Sequence, residues 1–269
     1  MKILKFFTPQ NQTLLRQLVI TDFKLRYQGS ALGYVWSLLK PLMLFSVLYV
    51  VFTYVLPLGK GVPHYPAYLL LGIVVWNFFV EATTMGMGSV VGRGDLIRKV
   101  RISKPSIVIA STLSAGVNFA LNLIVVAFFM LITGAEVNAT AVFLPLILLE
   151  LIIAILAISF FLSALYVRFR DIAPIWEVIL QIMFYATPII YPLTLVQPHH
   201  TLLTLVSLNP IAQIIQDARE MLITPTTLTT HDVLGYGWSI GVPLVLITAT
   251  AILSIMFFKK SSKKFAENL

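Results

Sequence analysis

From Pro105 to Val167 the chain contains no lysine or arginine, and most residues in that stretch are apolar. A helix in water needs a polar face along its length, and the run from Trp36 to Leu56 supplies none. Apolar segments near the roughly 20 residues needed to cross a bilayer recur along the chain. They fall at about 36–56, 67–90, 107–132, 141–166, 175–191 and 238–258. Lipid offers no partner for backbone N–H and C=O groups, so each segment is predicted to be helical. Composition agrees, with 58% hydrophobic and only 11% charged residues, against about 25% charged in soluble domains.

The charges lie between these segments. Apart from Lys60 and Arg219, all 19 basic residues sit in alternate connections. These are the N-terminal arm (with Lys40 at its junction), residues 93–104, residues 168–170 and the tail at 259–264. Such asymmetry predicts six spans with both termini in the cytoplasm. It divides the chain into an arm (1–35), a six-span membrane domain (36–258) and a basic tail (259–269). The net charge of +8 is then a topology signal. Its natural contacts are anionic lipid and a protein partner, not nucleic acid. Cysteine is absent, which excludes disulfides, iron–sulfur clusters and thiolate zinc sites. No cleavable leader is expected, because the apolar run after the basic start breaks beyond Phe7.

Residues 14–28 fit a helix lying along the membrane surface. Leu14, Leu15, Leu18, Val19, Phe23 and Leu25 cover one half of the wheel, with Gln17, Thr21, Lys24 and Gln28 opposite. Asp22 and Arg26 fall within the apolar half at a spacing of four. They read either as a solvated pair or as a partly buried pin. Gly29 and Gly33 let the chain turn into the bilayer, where Tyr34 and Trp36 sit at the level of an aromatic anchor.

In the second connection, "GRGDLIRKVRISKP" (92–105), Asp95 opens a predicted helix of one or two turns. Leu96, Ile97 and Val100 make an apolar ridge among Arg98, Lys99 and Arg101. Positive charge there enforces topology, but a ridge also suits a groove on a partner protein. A second contact on this side is read at "VRFRDIAP", where Arg170 and Asp171 brace the end of the fourth span or simply hold topology.

Equipment for chemistry is missing. There is no G-x-x-x-x-G-K-[ST], so no P-loop for ATP. There is also no H-E-x-x-H and no nucleophile elbow. His64, His199, His200 and His231 all fall in predicted outer segments, and the His199-His200 pair reads as exposed polar surface rather than a metal site. Glu81, Glu150 and Glu177 are the acidic residues within spans. Glu177 lies close to the cytoplasmic end of its span, within reach of the headgroups, and neither Glu81 nor Glu150 has a basic partner at its depth, which argues against an ion-coupled carrier. Glu81 either lines a wet cavity or satisfies a backbone group.

Aromatic side chains cluster in spans one, two and five: Tyr49, Phe52, Tyr54, Trp76, Phe78, Phe79, Phe184, Tyr185 and Tyr191. A sugar polymer presents apolar C–H faces and hydroxyls, and rigid rings with polar handles contact both. Beyond span five, Pro188 and Pro192 interrupt the helix, and Asn209-Pro210 marks a break. "IAQIIQDAREML" then reads as an amphipathic helix. Short helices dipping into the outer leaflet fit this region best.

"DFKLRYQGSALGYVWSLLKPL" (22–42), with "RFRDI" at 168–172, "TPIIYP" at 187–192 and "LNP" at 208–210, resembles the permease subunits of ABC-2-type exporters. It is most similar to those that export O-antigens, capsules and teichoic acids. The resemblance implies an all-α membrane protein with six spans, an N-terminal interface helix and re-entrant outer helices. It implies two copies forming a channel, two ABC ATPase chains carrying ATP and magnesium, and a lipid-linked glycan as substrate. No cofactor belongs to this chain. The host membrane implied is the bacterial cytoplasmic (inner) membrane. Asp95–Val100 would be the ATPase-coupling helix. The aromatic set with Glu81 would line the path, and Pro188, Pro192, Asn209 and Pro210 would serve the outer gate, hinged at 187–192. The nearest rival is an ABC-2 drug or antibiotic permease. An ion-coupled carrier and a membrane transferase are more distant.

Overall fold

The computed structural model describes residues 9–27, 33–56, 58–99 and 103–265. Among these, every regular element is helical. In chain order they are α1 (Pro9–Tyr27), α2 (Trp36–Val50, continued by a π-helical turn Val51–Val55), α3 (Tyr65–Ser89) and α4 (Gly94–Lys99). Next come α5 (Lys104–Thr133), α6 (Leu144–Arg168) and α7 (Ile172–Ala186). The chain closes with α8 (His200–Ser207), α9 (Pro210–Leu222), α10 (Thr230–Leu234) and α11 (Tyr236–Ser261).

Among the described residues, five helices are long and apolar enough to cross a bilayer: Trp36–Val55, Tyr65–Ser89, Lys104–Thr133, Ala139–Arg168 and Gly241–Ser261. Their ends follow local chemistry. Pro66, Pro105 and Pro145 stand in first turns, where the missing N–H costs nothing. α5 stops at Gly134, whose φ of 68° is the left-handed cap conformation. The expected fifth span is shorter than the sequence predicts. α7 has 15 residues, about 22 Å of helix, against a hydrocarbon core of about 30 Å. It ends at Ala186 because Pro188 cannot continue a helix ladder.

α3 is the central post. Its first half, from Ala67 to Trp76, is buried on every side, and its second half buries one face, against α5, α6, α7 and α9. A helix apolar all round belongs in such a position. Gly86 permits close approach to α6, since a Cβ there would lie 2.5 Å from Ser159. A second cluster gathers Val90, Val108, Phe160, Ala164, Val167, Phe258 and Phe265. It ties the ends of α3, α6 and α11 to the start of α5, at what we call the basic end. There Lys104 Nζ donates to the Ser262 carbonyl and lies 5.4 Å from the centre of the Phe265 ring. At the opposite end the α5–α6 connection pairs with the end of α9. Glu136 N–H donates to the Ile223 carbonyl at 3.0 Å and Asn138 N–H to that of Met221 at 2.8 Å.

Candidate functional site

At the basic end a cavity of about 1100 Å³ opens between α1, α2, α3 and α5. Its apolar wall includes Leu18, Leu44, Val74, Phe78 and Phe119, the last two stacked at 4.4 Å between ring centres. Its polar wall is a ladder of amides. Asn118 Nδ2 donates to Glu81 Oε1 at 2.8 Å, and Asn122 Nδ2 donates to the Asn118 carbonyl at 2.8 Å and to that of Ser37 at 3.2 Å. Asn77 and Lys40 complete that wall. Glu81 therefore lines the cavity and accepts a bond from a side-chain amide. Buried polar groups are costly unless satisfied, and the ladder pairs these amides with one another and with the backbone.

The mouth of the cavity carries an ion pair. Asp22 of α1 accepts from Arg93, which lies in the turn Val91–Arg93 after α3. The partly buried pin expected at Asp22 thus has Arg93 as its partner. The side chain of Arg26 lies outside the described residues, as do Gly29 and Val100 and the side chains of Leu14, Phe23, Leu25 and Tyr34. In α4, Asp95, Arg98 and Lys99 are exposed, whereas Leu96 and Ile97 are half-buried. Ile97 packs onto the Val90–Val108–Phe160 cluster. The expected apolar ridge is therefore turned partly inward, because a six-residue helix needs packing to persist. Arg170 stacks over Tyr166 of α6, 5.1 Å from the ring centre, and Asp171 stands exposed before α7.

The aromatic set divides. Trp76 and Phe79 are core residues of α3, packed with Phe184 and Trp176 of α7. They face packed interior rather than open space, because α3 is surrounded by other helices. Tyr49 and Phe52 are half-buried on α2, and Tyr191 is half-buried beyond α7. Tyr54 and Tyr185 are exposed. Long apolar faces of α2 (Met43, Val47, Val50) and of α7 (Ile175, Val178, Ile182) are likewise uncovered in a single copy.

At the opposite end a single arginine organises the structure. Arg219 of α9 is 0% exposed. Its Nη1 donates to the Pro188 carbonyl at 2.6 Å and to Gln216 Oε1 at 3.2 Å. Nη2 donates to the Ile189 carbonyl at 2.6 Å and Nε to the Tyr68 carbonyl at 3.1 Å. The guanidinium lies 3.7 Å from the centre of the Tyr68 ring, a cation–π arrangement. Burial lowers its pKa, an effect the neighbouring Tyr68 opposes, but an arginine stays charged. Tyr65 Oη donates to the next carbonyl, Ile190, at 3.0 Å. The other members of the expected gate lie close by. Pro188 and Pro192 are buried, and Asn209 Nδ2 donates to Thr187 Oγ1 at 3.0 Å. Asn209 Oδ1 caps α9 at the Ile211 N–H, with Pro210 in the first turn.

α9 departs from its expected character. The sequence reads it as an amphipathic helix, and the structure buries the polar face as well as the apolar one: Gln213, Gln216, Asp217 and Arg219 are all buried, because α3, α6 and α11 enclose it. Its polar face serves internal bonds. The sequence places Arg219 in an outer connection, and nothing in its local pattern distinguishes a buried cation from a solvated one. The Asn118–Asn122 ladder does not follow from hydropathy either. Two asparagines four residues apart in an uncharged span were its visible signal.

Residues 13–223 match the model of the ABC-2 type transporter family. Curated relatives extend over nearly the whole chain. An O-antigen export system permease protein RfbA of Myxococcus xanthus is 27% identical, covering 97% of this chain and 96% of the relative. Two proteins of that name from Klebsiella pneumoniae are each 26% identical, with 92% of both chains covered. The expected resemblance is thereby met, and the chain belongs to the ABC-2 type transporter family.

Proposed function

We propose that this protein is the permease subunit of an ATP-driven exporter that moves a lipid-linked cell-surface polysaccharide, of the O-antigen type, across the bacterial cytoplasmic membrane. The observation that carries this reading is end-to-end similarity to O-antigen export permeases, at 92–97% of this chain and 92–96% of theirs. Family membership alone accommodates a drug permease equally well; the relatives favour the glycan.

In this reading the basic end faces the cytoplasm. α7, extended by Thr187–Ile190, completes a sixth crossing, so both termini lie on one side. Two copies meet through the uncovered faces of α2 and α7 and enclose the path. A separate ATPase, one chain per copy, holds ATP and magnesium and docks on the exposed charges of α4. Its stroke reaches the membrane through Ile97 and through the Asp22–Arg93 pair, which link α4 and α1 to the helix bundle. The amide-lined cavity, with Phe78 and Phe119 stacked in its wall, offers hydrogen bonds and an apolar face together, as a sugar chain requires. α8 and α9 sit at the outer leaflet and bound the exit.

Depletion of this chain in its host tests the reading. Intact lipid-linked polymer trapped on the cytoplasmic leaflet, with synthesis unimpaired, is the expected result. Normal surface glycan with altered drug tolerance would transfer the protein to the drug-permease branch.

A further inference from the structure

The expected gate hinge at Thr187–Pro192 is tied to its neighbours by a run of buried hydrogen bonds. Three successive carbonyls, Pro188, Ile189 and Ile190, accept bonds from Arg219, Arg219 and Tyr65. The guanidinium also holds the Tyr68 carbonyl of α3. One buried cation thus joins α9, α3 and the segment after α7. Gly72 of α3 makes room for it, since a Cβ at that position would lie 2.3 Å from Arg219 Nη2. Ile189 N–H further donates to the Thr187 carbonyl at 2.7 Å.

We infer that Arg219 is a positioning residue that makes Pro188–Ile190 a fixed pivot for α7, not a gate that opens. This rests on the export reading only in taking α7 as a moving wall of the path. Opening the joint would strip a fully buried guanidinium of its acceptors and leave its charge uncompensated, the costliest way to break a buried polar contact. Along its length α7 is held on its own chain mainly by apolar packing: Trp176 and Leu180 are buried and Met183 and Phe184 pack against the core, while Ile175, Val178, Ile179, Ile182 and Tyr185 are exposed in a single copy, on the face that meets the second copy in the export reading. Apolar packing has no fixed partners and shifts more readily than the Arg219 joint opens, so α7 tilts about its far end. Motion generated at the basic end would tilt α7 while its far end keeps its place on α3.

The chain contains no cysteine, so spin labels can be placed without removing native thiols. Two pairs share Pro63, which is exposed just before α3. One joins Pro63 to Leu195, exposed just beyond the joint; the other joins it to Val178 on α7. Each is measured in the full complex with its ATPase, with and without a non-hydrolysable ATP analogue. The Pro63–Leu195 distance is expected to stay constant while Pro63–Val178 shifts by several ångström. An equal shift in both pairs overturns the pivot, and so does a shift confined to Leu195. In Arg219→Gln, ATP hydrolysis by the complex should persist while export falls at least tenfold and the Pro63–Leu195 distribution broadens. Arg219→Lys, which keeps the charge but loses the fork, should restore part of the export. Export and hydrolysis falling together, without broadening, would count against a positioning role. If Arg219→Gln fails to fold, the wild-type distances still decide. If the glycan reading fails instead, wild-type complexes move no lipid-linked glycan, yet the distances still report on the pivot.

Discussion

Asp22 and Arg93, 71 positions apart in the chain, form an ion pair that ties α1 to the turn between α3 and α4. Both side chains are mostly buried, at 18% and 15% exposure. The pair therefore sits between the weak surface case and the costly fully buried one. Asp22→Asn and Arg93→Gln are each expected to reduce export about fivefold, for a coupling of about 1 kcal/mol. The swapped double variant Asp22→Arg/Arg93→Asp should recover most of that loss. If the swap is no better than either single change, the pair is incidental and α1 is held by its packing along α5.

The inward turn of Ile97 separates two variants of α4. Ile97→Glu puts a charge into the cluster around Val90 and Phe160, so it should lower the yield of folded protein. Arg98→Glu with Lys99→Glu alters only exposed positions and should leave folding intact. Docking of the ATPase should weaken about tenfold at low salt and less at high salt, as expected for surface charges at an interface. Co-purification at two ionic strengths checks this. Undiminished docking in the double variant would place the contact elsewhere.

Gly72 and Gly88 lie on the same helix and should respond oppositely to alanine. At Gly72 a Cβ meets Arg219 Nη2 at 2.3 Å and the Ile189 carbonyl at 3.1 Å; at Gly88 it meets nothing within 4 Å. Overpacking of this kind costs about 1–3 kcal/mol, whereas alanine in an open helical position gains about 1 kcal/mol over glycine. Thermal melts in detergent should show a clear loss for Gly72→Ala and none for Gly88→Ala. Equal melts would mean that the guanidinium does not occupy that space.

The long apolar helices are legible because lipid imposes a local rule: apolar segments of that length must be helices. Tyr65–Ser89 and Lys104–Thr133 follow from that rule alone. The rule fails where burial is by protein. Residues 210–222 carry the periodicity of a surface helix, but their polar side chains bond inward to α3 and to the segment after α7. Those partners come from 30 to 151 positions away, beyond the reach of any local pattern. The same distance hid the Arg93 partner of Asp22, for which Arg26 was the near candidate. The packing of Ile97 is equally invisible locally, because its partners lie on α5, α6 and α11.

Asp217 supplies a pH dependence. It is 5% exposed, and burial raises its pKa; a bond donated by Gln213 Nε2 at 3.0 Å and the charge of His231 oppose the shift, while Glu220 and Asp232 reinforce it. A carboxyl whose folded pKa is raised binds its proton more tightly in the folded protein than in the unfolded chain. Its favourable contribution is then complete below the unfolded value of about 3.9 and declines as pH rises through the folded value. Asparagine mimics the protonated form at every pH. Asp217→Asn is therefore expected to raise the melting temperature at pH 7–8, by about 2–4 °C per kcal/mol recovered, and to change nothing near pH 3.5. A gain of equal size at both pH values would show that packing, not ionisation, separates the two side chains. A loss at neutral pH would mean that the carboxylate is held there by a cation.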